Sequence, residues 1–226
     1  MKLPKETSTH GKWYDDACGA AYAFELIGER WAALVLREMM FGPRRFTDLR
    51  AGLPAISAKV LSERLEGLEQ AGLVRRRVLP PPAGIQVYEL TNAGRDADPV
   101  LLALCRWALA APGWNRSLPT SPAAMMMSMR ALFDAEKSAG LTLDGEISIG
   151  GDAFRVEVTE RRFTVTRGTL PEPGFCIETP TTGALRRLVY GKVAPDALAD
   201  DGCVISGDRA QCEAFLDLFA LPQPVR

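Results

Sequence analysis

The residues in this chain that could do chemistry are mostly basic and sit close together. Arg75, Arg76 and Arg77 form one run, Arg44 and Arg45 another, and Ser57, Lys59, Ser62 and Arg64 lie between them. Guanidinium and ammonium groups at that density suit phosphate oxygens, with arginine able to bind them in a two-pronged fork. Hydroxyl and amine groups spaced as at 57, 59 and 62 along a helix can reach the edges of bases. Catalytic chemistries lack their residues. The single histidine, His10, belongs to an N-terminal arm, so a Ser-His-Asp set cannot be assembled, and no cluster of metal ligands is spaced for binding. The glycine-rich run GEISIGGD at 145–152 lacks the lysine and spacing of a phosphate-binding loop, and Asp200-Asp201 sits in a turn context. An enzyme is not expected, and neither a cofactor nor a metal.

Helix and strand patterns place these groups. Leu61, Leu65 and Leu68 share one helical face, extended by Ile56 and Leu73, while Lys59, Ser62, Glu63 and Glu66 occupy the other. Ser57 is a good N-cap after Pro54, and Gly72 closes the helix. The arginine triplet then opens a hairpin whose tip is Pro-Pro-Pro-Ala-Gly and whose second strand is Ile85 to Leu90. Upstream, helices are expected near 18–27 and 30–40, then a short one at 46–50, after a loose arm at 1–12. Downstream, Thr91 caps a helix continuing through Val100, Leu101, Leu104, Trp107 and Ala108, which is the candidate dimerisation helix. A capped helix feeding a basic hairpin is the layout of a winged helix that meets DNA.

The net charge of −1 conceals an asymmetry. Residues 1–124 carry 16 Lys/Arg against 13 Asp/Glu, and residues 125–226 carry 11 against 15. Within 42–78 the balance is 8 to 4, a basic island in a mildly acidic chain, as a local phosphate-binding patch requires. Cys18, Cys105, Cys176, Cys203 and Cys212 have no CxxC spacing, which points to reduced thiols in a cytoplasm. The most apolar run, 100–111, is short and holds Arg106, so neither a membrane span nor a signal peptide is expected.

The stretch from Cys18 to Trp107 resembles the HxlR family of bacterial regulators, relatives of the MarR group. The matching features are Cys18, IGERW at 27–31, GPRRFTDL at 42–49, LPAISAKVLSERLEGLEQAGLV, YELTNAGR at 88–95 and the late Trp107. The resemblance implies a homodimer with one winged helix per subunit and a pseudo-palindromic operator in double-stranded DNA. Beside it, the residues themselves assign Ser57, Lys59 and Ser62 to base edges and Arg64 to base or phosphate. Arg44, Arg45, Arg75, Arg76 and Arg77 are assigned to phosphates. In some HxlR-type regulators the cysteine matching Cys18 senses oxidants or electrophiles. Here Asp15 and Asp16 disfavour a thiolate, so a plain small helix residue is the favoured reading.

Three prolines at 112–122 place a linker at 115–124, dividing a DNA-binding and dimerisation domain at 1–114 from a second domain at 125–226. The second reads as a helix MMMSMRALFDAEKSAG, strands built on Phe154/Val156/Val158, Phe163/Val165 and Phe175/Ile177 in an antiparallel sheet, a helix TTGALRRLVYG, and a closing helix capped by Asp208. That succession is similar to the sterol carrier protein 2-like fold, which implies capture of an apolar or amphipathic small molecule. Candidate lining residues are Met125, Met126, Met129, Phe133, Phe154, Phe163, Phe175, Phe215 and Phe219. The fold class is therefore α+β: a mainly helical winged helix-turn-helix followed by a sterol carrier protein 2-like α+β domain. The function expected is a DNA-binding regulator answering to a hydrophobic effector. The alternatives are constitutive DNA binding with a carrier or scaffold domain, and a thiol sensor acting through Cys18.

Overall fold

A computed structural model describes residues 14–222; the expected N-terminal arm and His10 lie outside the described residues. The chain forms two compact units. One holds the residues up to Met39 with Pro43–Asp96, and the other holds Met40–Gly42 with the residues from Ala97 onward.

The first unit comprises α1 (Gly19–Ile27), α2 (Ala32–Met39), α3 (Phe46–Gly52), α4 (Ala58–Gln70), β1 (Val74–Val78), β2 (Gln86–Leu90) and α5 (Asn92–Asp96). Helix α4 forms as its pattern dictates. Leu61, Leu65 and Leu68 are buried on one face, and Ser57 accepts a hydrogen bond from the Val60 N–H at 3.2 Å. At the other end the Leu73 N–H donates to the Leu68 carbonyl and the Gly72 N–H to that of Glu69. Gly72 takes φ +70°, a left-handed turn that satisfies the last carbonyls. The turn leads directly into β1, which pairs antiparallel with β2, Val74 opposite Leu90 and Val78 opposite Gln86. Arg44 adds a third rung by exchanging backbone hydrogen bonds with Tyr88 at 2.9 and 2.8 Å.

The TNAGR segment locks this hairpin to α5. Thr91 Oγ1 donates to the Gly72 carbonyl at 2.6 Å and accepts from the Gly94 N–H at 3.1 Å. A Cβ on Gly94 would lie 2.0 Å from the Leu73 carbonyl oxygen, so only glycine allows the approach. Arg95 completes the joint with bonds to the Leu90 carbonyl and Asn92.

The second unit comprises α6 (Asp98–Ala110), α7 (Pro122–Leu132), β3 (Leu143–Ile149), β4 (Asp152–Thr159), β5 (Arg162–Arg167), β6 (Phe175–Thr179), α8 (Thr182–Val189), a 3-10 turn (Pro195–Leu198), β7 (Val204–Gly207) and α9 (Arg209–Leu216). Helix α6, expected within a domain ending at 114, groups here by its packing on α7. The Arg130 guanidinium grips Asp98 with two 2.7 Å bonds, and Arg106 donates to the Ala131 carbonyl. Helix α7 starts at Pro122, capped by Ser121 inside the expected linker. It stops at Leu132 because Phe133 turns extended to bridge Phe219.

The sheet runs β5-β4-β3-β6-β7 and is mixed, not antiparallel throughout, because β3 and β6 are parallel neighbours. The central strand β3 is the glycine-rich GEISI segment. Its glycines have definite work: the position a Cβ would take on Gly145 is 2.4 Å from the Phe175 ring, and Gly150 and Gly151 both take positive φ in the tight turn to β4. Among the described residues no helix is long and apolar enough to cross a membrane.

Candidate nucleic-acid interface

The N-terminal turn of α4 presents Ser57, Lys59 and Ser62 to solvent, as the apolar pattern behind them requires. Ser57 is also the cap, so its oxygen is engaged with the Val60 N–H while its hydroxyl proton can still be donated outward. Lys59 is loosely paired with Glu63 at 4.0 Å and highly exposed.

Arg64 is placed otherwise. It forms an ion pair with Glu29, its side chain is only 20% exposed, and it lies between the buried and solvent faces of α4. The pair ties α4 to the IGERW block, so the expected contact to base or phosphate would require Arg64 to share or release Glu29. The physical reason is position: on the flank of α4, the guanidinium reaches a carboxylate of its own unit.

The arginine triplet divides between the two faces of β1, since side chains alternate along a strand. Arg75 and Arg77 share one face, where both clasp Glu89 at 2.7 and 3.0 Å. Arg76 occupies the other, paired with Glu69 at 2.9 Å and stacked over Tyr88 with its guanidinium carbon 5.6 Å from the ring centroid. Tyr88 and Glu69 both favour the charged form of Arg76, raising its pKa above the ordinary arginine value. All three side chains stay roughly half exposed, so they can reach phosphate, but only by sharing or releasing these carboxylates. Arg45 is exposed at the start of α3, where its backbone N–H donates to Asp48 at 3.2 Å, and Arg44 is half-buried beside the hairpin.

Sequence reasoning missed Glu29, Glu69 and Glu89, which set the orientation of the basic groups. The alternation of Arg75, Arg76 and Arg77 was open to view in a strand of period two; the pairing of Glu29 with Arg64 across 35 positions was not.

Cys18 is the exposed N-cap of α1, and its thiol lies by the first-turn backbone N–H groups of Ala20 and Ala21 without a formed cap hydrogen bond. Those amides favour the thiolate and hold its pKa below the ordinary thiol value. The thiol is accessible, and Asp16 accepts from the Cys18 backbone N–H at 2.9 Å.

The nine candidate ligand residues of the second unit are interior. Met126, Met129, Phe154, Phe175 and Phe219 have essentially no exposed surface; Met125, Phe163 and Phe215 are buried and Phe133 is half-buried. The rings of Phe163, Phe215 and Phe219 pack with centroids 5.0 to 5.7 Å apart. These side chains fill the space between sheet and helices with one another. The unit does have an open cleft, on the side of α8 and α9, and none of the nine lines it. Among the described residues no group of three or more His, Cys, Asp or Glu could hold a metal ion.

A short helix, a turn, a capped recognition helix and a basic hairpin with a third rung define a winged helix-turn-helix, a DNA-binding module. Residues 26–112 match the family described as HxlR-like helix-turn-helix. Two HTH-type transcriptional regulators of Bacillus subtilis strain 168 are similar over this region. YvaP is 40% identical over 87 residues, covering 38% of this chain and 80% of YvaP; YodB is 41% identical over 86 residues, covering 38% and 77%. The reduced form of YodB, a solved structure, is 38% identical, covers 41% of this chain and 92% of its own, and gives a TM-score of 0.38. The chain belongs to the HxlR-like helix-turn-helix family of transcriptional regulators, and its roughly 110 N-terminal residues carry that membership.

Proposed function

We propose that the chain acts as a homodimeric, DNA-binding regulator whose second domain, of sterol carrier protein 2-like type, takes a hydrophobic effector. The observation that carries the dimer is a pair of uncovered apolar faces. Val100, Leu104 and Trp107 recur along α6, with Trp107 73% exposed, and Tyr14, Tyr22 and Phe24 stand exposed on and before α1. A second copy is the occupant that fits, because a two-fold pair sets two recognition helices about 34 Å apart over a pseudo-palindromic operator. Ser57, Lys59 and Ser62 then read bases, while Arg44, Arg45, Arg75, Arg76 and Arg77 steady the phosphates. Support for an effector domain is the separate five-stranded sheet with its own helices and cleft. In this reading residues 1–114 serve DNA binding and dimerisation, 115–124 link, and 125–226 take the effector, with α6 serving the dimer although it packs on α7, in a cytoplasmic protein.

The test is titration of the full chain against a duplex selected from random sequence. Two chains per duplex, and loss of that stoichiometry in Trp107→Lys without loss of folding, are the outcomes expected. One chain per duplex would remove the dimer.

A second reading is favoured by the exposed Cys18 thiol and its lowered pKa: oxidants or electrophiles act there and change the fit to DNA. The relative YodB has been solved with quinone bound. Operator binding that is unchanged after Cys18 is quantitatively modified would exclude this reading.

A further inference from the structure

We propose that the cleft bounded by α8, the 3-10 turn, β7 and α9 binds an amphiphilic amine, a small molecule with an apolar body and a cationic head. This rests on the reading of the second unit as an effector domain. The cleft has a volume of about 390 Å³, within the range of small-molecule sites. Leu188, Cys203, Ile205, Cys212 and Leu216 make its apolar floor. Burial pushes both thiols up, that of Cys212 to about 11, so they are neutral at physiological pH and serve as polarisable apolar wall.

The charges lie at the two ends of α9, whose eight residues span about 12 Å. At the C-terminal end they balance. Lys192 donates to the Leu216 carbonyl at 2.5 Å, and Asp217 stands 3.9 Å away. At the other end they do not. Arg209 pairs with both Glu213 at 3.0 Å and Asp196 at 3.5 Å, so among the described residues two carboxylates share this one guanidinium. The positive pole of the helix is already answered there by Asp208, which accepts from the Ala210 and Gln211 N–H groups. That rim therefore carries surplus negative charge, within a 125–226 region holding 15 acidic residues against 11 basic. An anion meets repulsion at the rim and an uncharged body gains only the floor. A cationic head next to Asp196 and Glu213 completes the pairing while its body covers the leucines and isoleucine.

Calorimetric titration of the full chain, without DNA, against octylammonium, octan-1-ol and octanoate tests this. At low salt octylammonium should bind at least tenfold more tightly than octanoate, with the alcohol between them, and the preference should shrink in salt. The doubly substituted Asp196→Asn, Glu213→Gln chain should lose the preference and keep the alcohol. Ala199→Trp and, separately, Ile205→Trp fill the cleft from different elements and should each lose all three ligands, with circular dichroism reporting the fold. No binding of any probe, equal or tighter binding of octanoate, or binding untouched by both tryptophans overturns the proposal while leaving the DNA-binding reading in place. Binding as expected with an operator affinity that does not respond keeps the cleft and removes the effector role.

Discussion

Replacing Arg64 by methionine separates a structural strut from a DNA contact. The substitution keeps an unbranched apolar stem and removes the guanidinium that pairs with Glu29. Arg64 is 20% exposed and Glu29 44%, so the pair lies between a surface ion pair, at about 0 to 1 kcal/mol, and a buried one, where losing one partner costs about 3 to 5 kcal/mol. Solvent screening at the Glu29 end weights the value toward the lower limit, at about 1 to 1.5 kcal/mol. For a chain of this size that lowers Tm by about 2 to 6 °C. Unfolding by urea and by heat measures the loss, and Glu29→Gln should cost a similar amount, with the two substitutions clearly less than additive. The companion assay is operator affinity across a salt series. Affinity falls because α4 is less firmly held, but the slope of log K against log salt should not change. A slope flattened by about 0.9 per subunit, with stability untouched, would make Arg64 a phosphate contact and refute the strut.

Three further outcomes are expected. Substituting Arg76 and Arg77 together by glutamine should weaken binding to all duplexes and flatten the salt slope by about 0.9 to 1.8 per subunit; an unchanged slope rejects their phosphate role. Gly94→Ala forces a methyl group against the Leu73 carbonyl at an initial 2.0 Å, so urea unfolding should show a loss of about 2 to 3 kcal/mol or more; a loss under 0.5 kcal/mol would mean that the joint between α5 and the hairpin yields freely. Iodoacetamide should modify Cys18 first. Its lowered pKa gives more thiolate at pH 7, and its rate should climb over a pH range below that of Cys176, whose pKa burial raises, and far below that of Cys212 at about 11. Mass spectrometry of the modified peptides reads the order, and equal rates for Cys18 and Cys176 would contradict it.

Both positive φ values at Gly150 and Gly151, and the close approach at Gly145, were present in the sequence as a glycine-rich run with no assigned purpose. A strand with so little side chain gives a weak alternating signal, so β3, the centre of the sheet, went unseen, and with it the parallel pairing to β6. Only the packing of the Phe175 ring explains why glycine is needed there. The methionine and phenylalanine stripes were legible as buried faces. Whether such faces enclose a cavity or fill one depends on how rings from distant segments meet, and here Phe133, Phe163, Phe215 and Phe219 meet each other.

The local features of the winged helix were determined by the sequence alone. The leucine spacing of α4, the Ser57 cap, the Gly72 stop and the following basic hairpin each rest on interactions within a few residues, and local rules are written in local sequence. The tertiary structure decided what the charged groups do. Arg64 meets Glu29, Arg75 and Arg77 meet Glu89, and Arg76 meets Glu69, pairings formed between elements that only the fold brings together. The same holds for Cys18, where the aspartates beside it in sequence disfavour a thiolate and the backbone amides opening α1 favour one. An arginine's charge can be read from one letter, but its partner depends on distances of a few ångströms that no single stretch of sequence contains.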